Sequence, residues 1–113
     1  MKPTITFEDF SKIDMRIGTI IEIHDFSEAQ KPAYQLSIDF GDLGIKKSSA
    51  QITAIYSKSD LINKQVVAII NFEKKQIANF FSECLILGVE NKENNIVLLQ
   101  SNFNKLKNGT KIS

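Results

Sequence analysis

The residues with the most chemistry in this chain lie in two short stretches. The first, "IKKSSAQIT" (residues 45–53), is strand-like in its position but carries Lys46, Lys47, Ser48, Ser49 and Gln51 where neighbouring strands carry Ile, Leu and Phe. Short hydroxyl side chains let a ligand backbone approach closely. A glutamine amide supplies both donor and acceptor, and lysines attract phosphate. One pleat face would carry Lys46, Ser48, Ala50 and Ile52; the other would carry Ile45, Lys47, Ser49, Gln51 and Thr53. Two readings remain open. Either one face meets a polyanionic or extended ligand, or the small residues fill a crowded barrel interior.

The second stretch, "NFEKKQIANFFSE" (71–83), sets Lys74 and Lys75 beside Phe72, Phe80 and Phe81, with Asn71, Gln76 and Asn79 interleaved. Aromatic rings and amides among lysines suit unpaired RNA, whose bases stack and expose hydrogen-bonding edges. An apolar peptide groove lined by Phe72, Ile77 and Phe80 is the competing use. At least one of Phe80 and Phe81 is expected in the core. Asn71 ends an otherwise apolar strand, which favours a functional role for it.

Catalysis is not expected. The single histidine, His24, and the single cysteine, Cys84, lie sixty residues apart in sequence. No Cys/His spacing suits zinc, no glycine-rich phosphate loop precedes a helix, and no cofactor is expected. Cys84 alternates with Ile86 and reads as a core filler; His24 reads as a surface residue.

These residues need a scaffold, and 113 residues allow one domain with one core. The chain is 42% hydrophobic and 24% charged, ordinary for a folded soluble domain. Its apolar runs are too short for membrane insertion, its N-terminus lacks the pattern of a signal peptide, and one cysteine fits a reducing cytoplasm. The net charge of +1 conceals an asymmetry: residues 1–30 hold six acids against three basic residues, whereas residues 31–81 hold seven lysines against four acids. A locally basic middle is compatible with a polyanion.

Thr6 followed by Asp9 predicts a short capped helix, with Phe7, Phe10 and Ile13 on one face. Residues 14–26 read as a long strand, which Gly18 is expected to bulge or bend. "AYQLSIDFG" alternates as a half-buried strand, and the "GDLG" turn joins it to "IKKSSAQIT" as a hairpin. A short irregular or helical connector, the apolar strand "KQVVAIINF", a basic connector at 73–81 and two strands around "NKENN" follow. The tail holds an Asn-Gly turn. Without alternation of strand and helix, the expected class is all-β: a five-stranded Greek-key barrel of the OB type with a short N-terminal helix and a C-terminal extension.

Taken together, "FEDFSKIDMRIGTI", "KPAYQLSIDFGDLGIKKSSAQIT", "QVVAIINF" and "KQIANFFSECLILG" resemble the CsaA family of small bacterial export-related chaperones across almost the whole chain. That family is in turn similar to free-standing bacterial tRNA-binding proteins and to the C-terminal domain of many methionyl-tRNA synthetases. The resemblance implies an OB-fold, a homodimer and binding of structured tRNA, with unfolded or export-bound polypeptides as the other class of partner. It implies that the family's polar binding strand corresponds to Lys46, Lys47, Ser48, Ser49 and Gln51, and its other positions to Lys12, Asn71, Lys75, Ser82 and Glu83. Two barrels would join through N-terminal helices and C-terminal segments, where Phe7, Phe10 and Phe103 could be covered. The chain departs from the family pattern in having Glu73 and Lys74 where prolines are usual, and Lys75 where arginine is common. The first implies a less rigid loop and the second removes a bidentate phosphate contact.

Overall fold

The structure is a computed structural model and describes residues 1–103 and 105–113. Its elements run α1 (Phe7–Ser11), β1 (Met15–Asp25), β2 (Tyr34–Asp39), β3 (Ile45–Ala50), α2 (Lys58–Leu61), β4 (Gln65–Ile69), β5 (Lys75–Ile77), β6 (Phe80–Ser82), β7 (Leu85–Ile86), β8 (Gly88–Glu90) and β9 (Ile96–Leu98). Five strands form one antiparallel sheet in the order β3-β2-β1-β4-β7. The sheet curls until its two ends, β3 and β7, approach each other. The result is a nearly closed barrel of the expected OB type.

Alternation decides what fills the barrel. On β2, Tyr34, Leu36 and Ile38 point inward, and Phe40 follows them into the core. Ile20, Val66, Ala68, Ile52, Leu61 and Leu98 complete the cluster. Each large aliphatic or aromatic side chain removed from water contributes roughly 1.5–3 kcal/mol to folding. The connector after β3 plugs one end. There Tyr34 Oη donates to Tyr56 O at 2.8 Å, and the Tyr56 hydroxyl accepts from Leu98 N–H at 3.0 Å.

Gly18 does not bulge β1. The register shift lies between Ile20 and Glu22, so Ile21 is the extra, exposed residue, and the inward phase passes from Ile20 to Ile23. Gly18 serves close packing instead: a Cβ there would stand 2.6 Å from both Ile38 Cγ2 and Phe40 Cε1. The alternation of Ile17, Ile21 and Ile23 concealed this, because Ile17 is also buried, on the other face, beneath the C-terminal segment. Ile17 N–H donates to Thr110 O and Gly109 N–H donates to Ile17 O. The Asn-Gly turn forms as expected, with Gly109 at φ +86 where a Cβ would collide with Phe40 O.

The basic connector at 73–81 is also more ordered than expected. It is the β5–β6 hairpin, turned at Ala78 with φ +53. This hairpin is not part of the main core. Phe80 and Ile77 pack with Phe26, Ala29 and Ala33 in a second cluster, with the Phe26 and Phe80 rings 5.4 Å apart. That cluster fastens the hairpin to the 26–33 loop.

Helix α1 has its predicted capping box: Asp9 N–H donates to Thr6 Oγ1 and Thr6 N–H donates to Asp9 Oδ2. It buries no residue of its own, leaving Phe7 81% exposed. Among the described residues, no helix is long and apolar enough to cross a membrane.

Candidate nucleic-acid interface

Strand β3 divides its polar residues between two faces. Ser48 faces inward, is 1% exposed and donates through Oγ to Cys84 O at 3.0 Å. Lys46 shares that side at the barrel mouth and is half-buried, whereas Lys47, Ser49 and Gln51 point outward. The interior-filling reading therefore describes the inner face at Ser48, while the outer face leaves Lys47 and Gln51 exposed. Ser48 is corrected from ligand contact to core residue, because a hydroxyl this enclosed is already satisfied and out of reach.

Pairing with β2 widens the outward face. Directly opposed residues share a side of the sheet, so Ser37 lies beside Lys47 and Gln35 beside Ser49. Gln35 and Ser37 were legible in principle, since they alternate with buried Leu36 and Ile38 and the turn fixes their register. The next strand adds Glu22 opposite Ser37 and His24 opposite Gln35, with these two side chains 3.5 Å apart. The cationic margin of the sheet is thus at β3.

Beyond β3 lies a groove of about 490 Å³ between the 26–33 loop and the β5–β6 hairpin. Ser49 and Gln51 line it from the sheet, Lys75 and Gln76 from the hairpin, and Gln30 and Lys31 from the loop. The structure so brings together four residues singled out in sequence. It adds two that were missed, because nothing in "SEAQKP" indicates that the loop folds over β3. Glu28 also lines the groove, but its carboxylate accepts from Ser27 Oγ at 3.1 Å. Among the described residues, Lys31, Lys46, Lys47 and Lys75 have no carboxylate within 4.0 Å, whereas Lys12, Lys58 and Lys74 are paired. Unpaired Lys31 and Lys75 thus stand beside Gln30, Gln51 and Gln76 in this groove.

A second cavity, about 260 Å³, adjoins this groove across Lys75 and is lined by Phe72, Glu73, Ser82, Glu83, Cys84 and Leu85. Phe72 is 57% exposed there. Ser82 and Glu83 also shape the barrel: Ser82 Oγ accepts from Ser49 N–H at 3.3 Å and Glu83 Oε1 accepts from Lys47 N–H at 3.0 Å. Their side chains stand in for the ladder that β3 and β7 do not form. Glu83 also reaches Lys74 Nζ at 3.8 Å.

Three further expectations change in detail. Phe80 is buried against Phe26, and the exposed aromatic of the pair is Phe81, which shares the solvent side of the hairpin with Gln76. Asn71 is a clamp: its Nδ2 donates to Lys12 O at 2.7 Å and its Oδ1 accepts from Asp14 N–H at 3.0 Å. Lys12 caps α1, pairs with Asp9 at 3.8 Å and lines neither cavity. Cys84 is the expected core filler. Burial, with the nearby Glu83 charge, pushes its thiol from 9.0 up to about 12, which keeps it protonated and unreactive at neutral pH.

A family profile described as "Putative tRNA binding domain" matches residues 15–111. The chain belongs to the tRNA-binding-domain family. Within it, the fold superposes on the crystal structure of the chaperone CsaA from Bacillus anthracis str. Ames with a TM-score of 0.92 and 51% identity, covering 98% of this chain and all of that one. The CsaA chaperone protein from Picrophilus torridus is 52% identical at a TM-score of 0.90, over 97% of this chain and all of that one. These matches place the chain with the CsaA proteins. Among curated relatives, the methionine–tRNA ligase of Thermococcus onnurineus is 34% identical over 102 residues, 90% of this chain. The chain spans only 14% of that ligase's length.

Proposed function

We propose that this protein is a tRNA-binding module of the CsaA type that acts as a homodimer in the cytoplasm. The observation that carries the reading is the grouping of unpaired Lys31, Lys47 and Lys75 with Ser49, Gln51 and Gln76 along one outward margin of the barrel. Lysines neutralise phosphates and release counterions. Amides and hydroxyls engage the 2′-hydroxyls and base edges that distinguish RNA.

A second copy answers two needs. One margin with few lysines gives weak, salt-sensitive affinity, and linking two raises it through effective concentration. The segment around α1, held to the barrel by the Asn71 clamp, presents Phe7 on the helix and Ile5 and Ile13 on its flanks to solvent, and Phe103 is 74% exposed near the other end of the chain. A dimer contact covering these residues would remove them from water.

The apolar cavity at Phe72 and Leu85 favours a second reading, a chaperone that holds extended segments of unfolded or export-bound polypeptide. The chaperone description of both CsaA structures supports it. Salt separates the two: retention of tRNA falls steeply with ionic strength, whereas retention of unfolded polypeptide does not. Sedimentation of the protein with and without total tRNA at low and high salt is the test. A species that stays monomeric and free at low salt would overturn the tRNA-binding dimer.

A further inference from the structure

The amide-rich groove and the Phe72 cavity are neighbours with one shared wall residue, Lys75. Each cavity is suited to a different part of an RNA chain. The groove offers Gln30, Gln51 and Gln76 with a free lysine, Lys31, at its loop wall: hydrogen-bonding groups for a base edge or ribose, and a cation for a phosphate. The smaller cavity offers an exposed aromatic ring beside Leu85, with Lys75 as its one lysine and the carboxylates of Glu73 and Glu83 on its wall, so it suits the uncharged face of a base and not a phosphate. At about 490 and 260 Å³, the two cavities match single nucleotides in size and not a double helix.

We propose that these cavities form a track for two consecutive unpaired nucleotides. One base lies in the amide-lined groove with Lys31 on its outer phosphate. The next stacks on Phe72, and the phosphate linking them rests on Lys75. This rests on the RNA-binding reading above and narrows it: the protein holds an unpaired segment, a loop or a tail, of its structured RNA. The walls are rigid enough to select. The loop and hairpin bounding the groove are fastened by Phe26 and Phe80, and the floor is a strand of the barrel.

Sequence made Phe72 and Lys75 candidates, but not their sharing of a boundary, and it left Lys31 unmarked. All three side chains are exposed, so truncating them leaves the core intact.

The test is fluorescence anisotropy of the full chain with a labelled unpaired RNA tetranucleotide, the same strand annealed into a duplex, and total tRNA as competitor. The expected results are tighter binding of the unpaired strand than of the duplex, and displacement by tRNA. Phe72→Ala should weaken the unpaired strand about tenfold, as loss of a stacked base does, without changing the salt slope. Lys31→Ala and Lys75→Ala should each flatten that slope by about 0.7.

Duplex bound as tightly as single strand would overturn the track, as would a Phe72→Ala protein that keeps full affinity for the tetranucleotide. So would a Phe72 variant that loses only unfolded polypeptide. If tRNA binds while the tetranucleotide does not, the track fails and the tRNA-binding reading survives; if no RNA binds, that reading itself has failed.

Discussion

Glu83 and Lys47 exchange two hydrogen bonds across the gap between the ends of the sheet: Glu83 N–H donates to Lys47 O at 2.7 Å, and Glu83 Oε1 accepts from Lys47 N–H at 3.0 Å. One residue thereby supplies both a main-chain and a side-chain partner to a strand edge that would otherwise lie open. Glu83→Ala should cost about 0.5–1.5 kcal/mol, the net worth of one hydrogen bond whose exposed donor can turn to water. Amide exchange at Lys47 and Ser49 should rise well above that on β2. Unchanged exchange at both would show that water closes the gap as well as the carboxylate does.

Because adjacent lysines on β3 face opposite sides, their charge reversals should differ. Lys47→Glu should lower tRNA affinity and reduce the slope of log affinity against log salt by about 1. Lys46→Glu, at the barrel mouth, should do less. The surface position of Lys47 keeps the stability change within about 0.5 kcal/mol. Titration by gel shift at several salt concentrations measures this, and equal effects of the two variants would contradict the assignment of faces.

Asn71→Ala removes the donor to Lys12 O and the acceptor for Asp14 N–H. The expected loss is about 1–2 kcal/mol, together with a shift toward monomer in sedimentation, because α1 is no longer held in place. Weakened RNA binding with the oligomer intact would instead make Asn71 a direct contact.

Cys84 predicts alkaline sensitivity. Its folded-state pKa is raised, so the folded protein holds a proton that the unfolded chain releases. The contribution is fully present below 9.0 and is lost as pH climbs toward about 12. Denaturant midpoints measured across that interval should fall more steeply for the native chain than for Cys84→Ala. Parallel curves would refute the coupling.

Gly18→Ala tests close packing where the sequence suggested bending. The added methyl meets Ile38 and Phe40 inside a filled core, which should cost about 1–3 kcal/mol and appear as a lowered thermal midpoint. An unchanged midpoint would mean that the neighbouring side chains yield freely.

How far the chain could be read depended on whether a signal was local. The α1 capping box, the β2–β3 hairpin and the alternation of Leu36, Ile38 and Phe40 are encoded within a few residues of where they act, and each formed as expected. The division of "IKKSSAQIT" was visible as a pattern of two faces. Which face was inward depended on Cys84, more than thirty residues away, offering its carbonyl to Ser48. Lys31 and the shared wall at Lys75 were illegible for the same reason: they arise where a loop and a hairpin meet through Phe26 and Phe80, a contact with no local signature. Phe80 and Phe81 illustrate the limit at its smallest, since neighbouring identical residues are told apart only by strand phase.

The extra residue at Ile21 gives β1 one residue of slack. Remove it and Glu22 follows Ile20 directly: Glu22 still opposes Ser37, Ile23 still opposes Leu36, and the ladder runs on without its kink. Strand β2 holds no such spare, so a deletion between Leu36 and Ile38 would turn one of those two side chains to water. Descendants of this chain can shorten the one strand by a residue, but can alter the other only in kind.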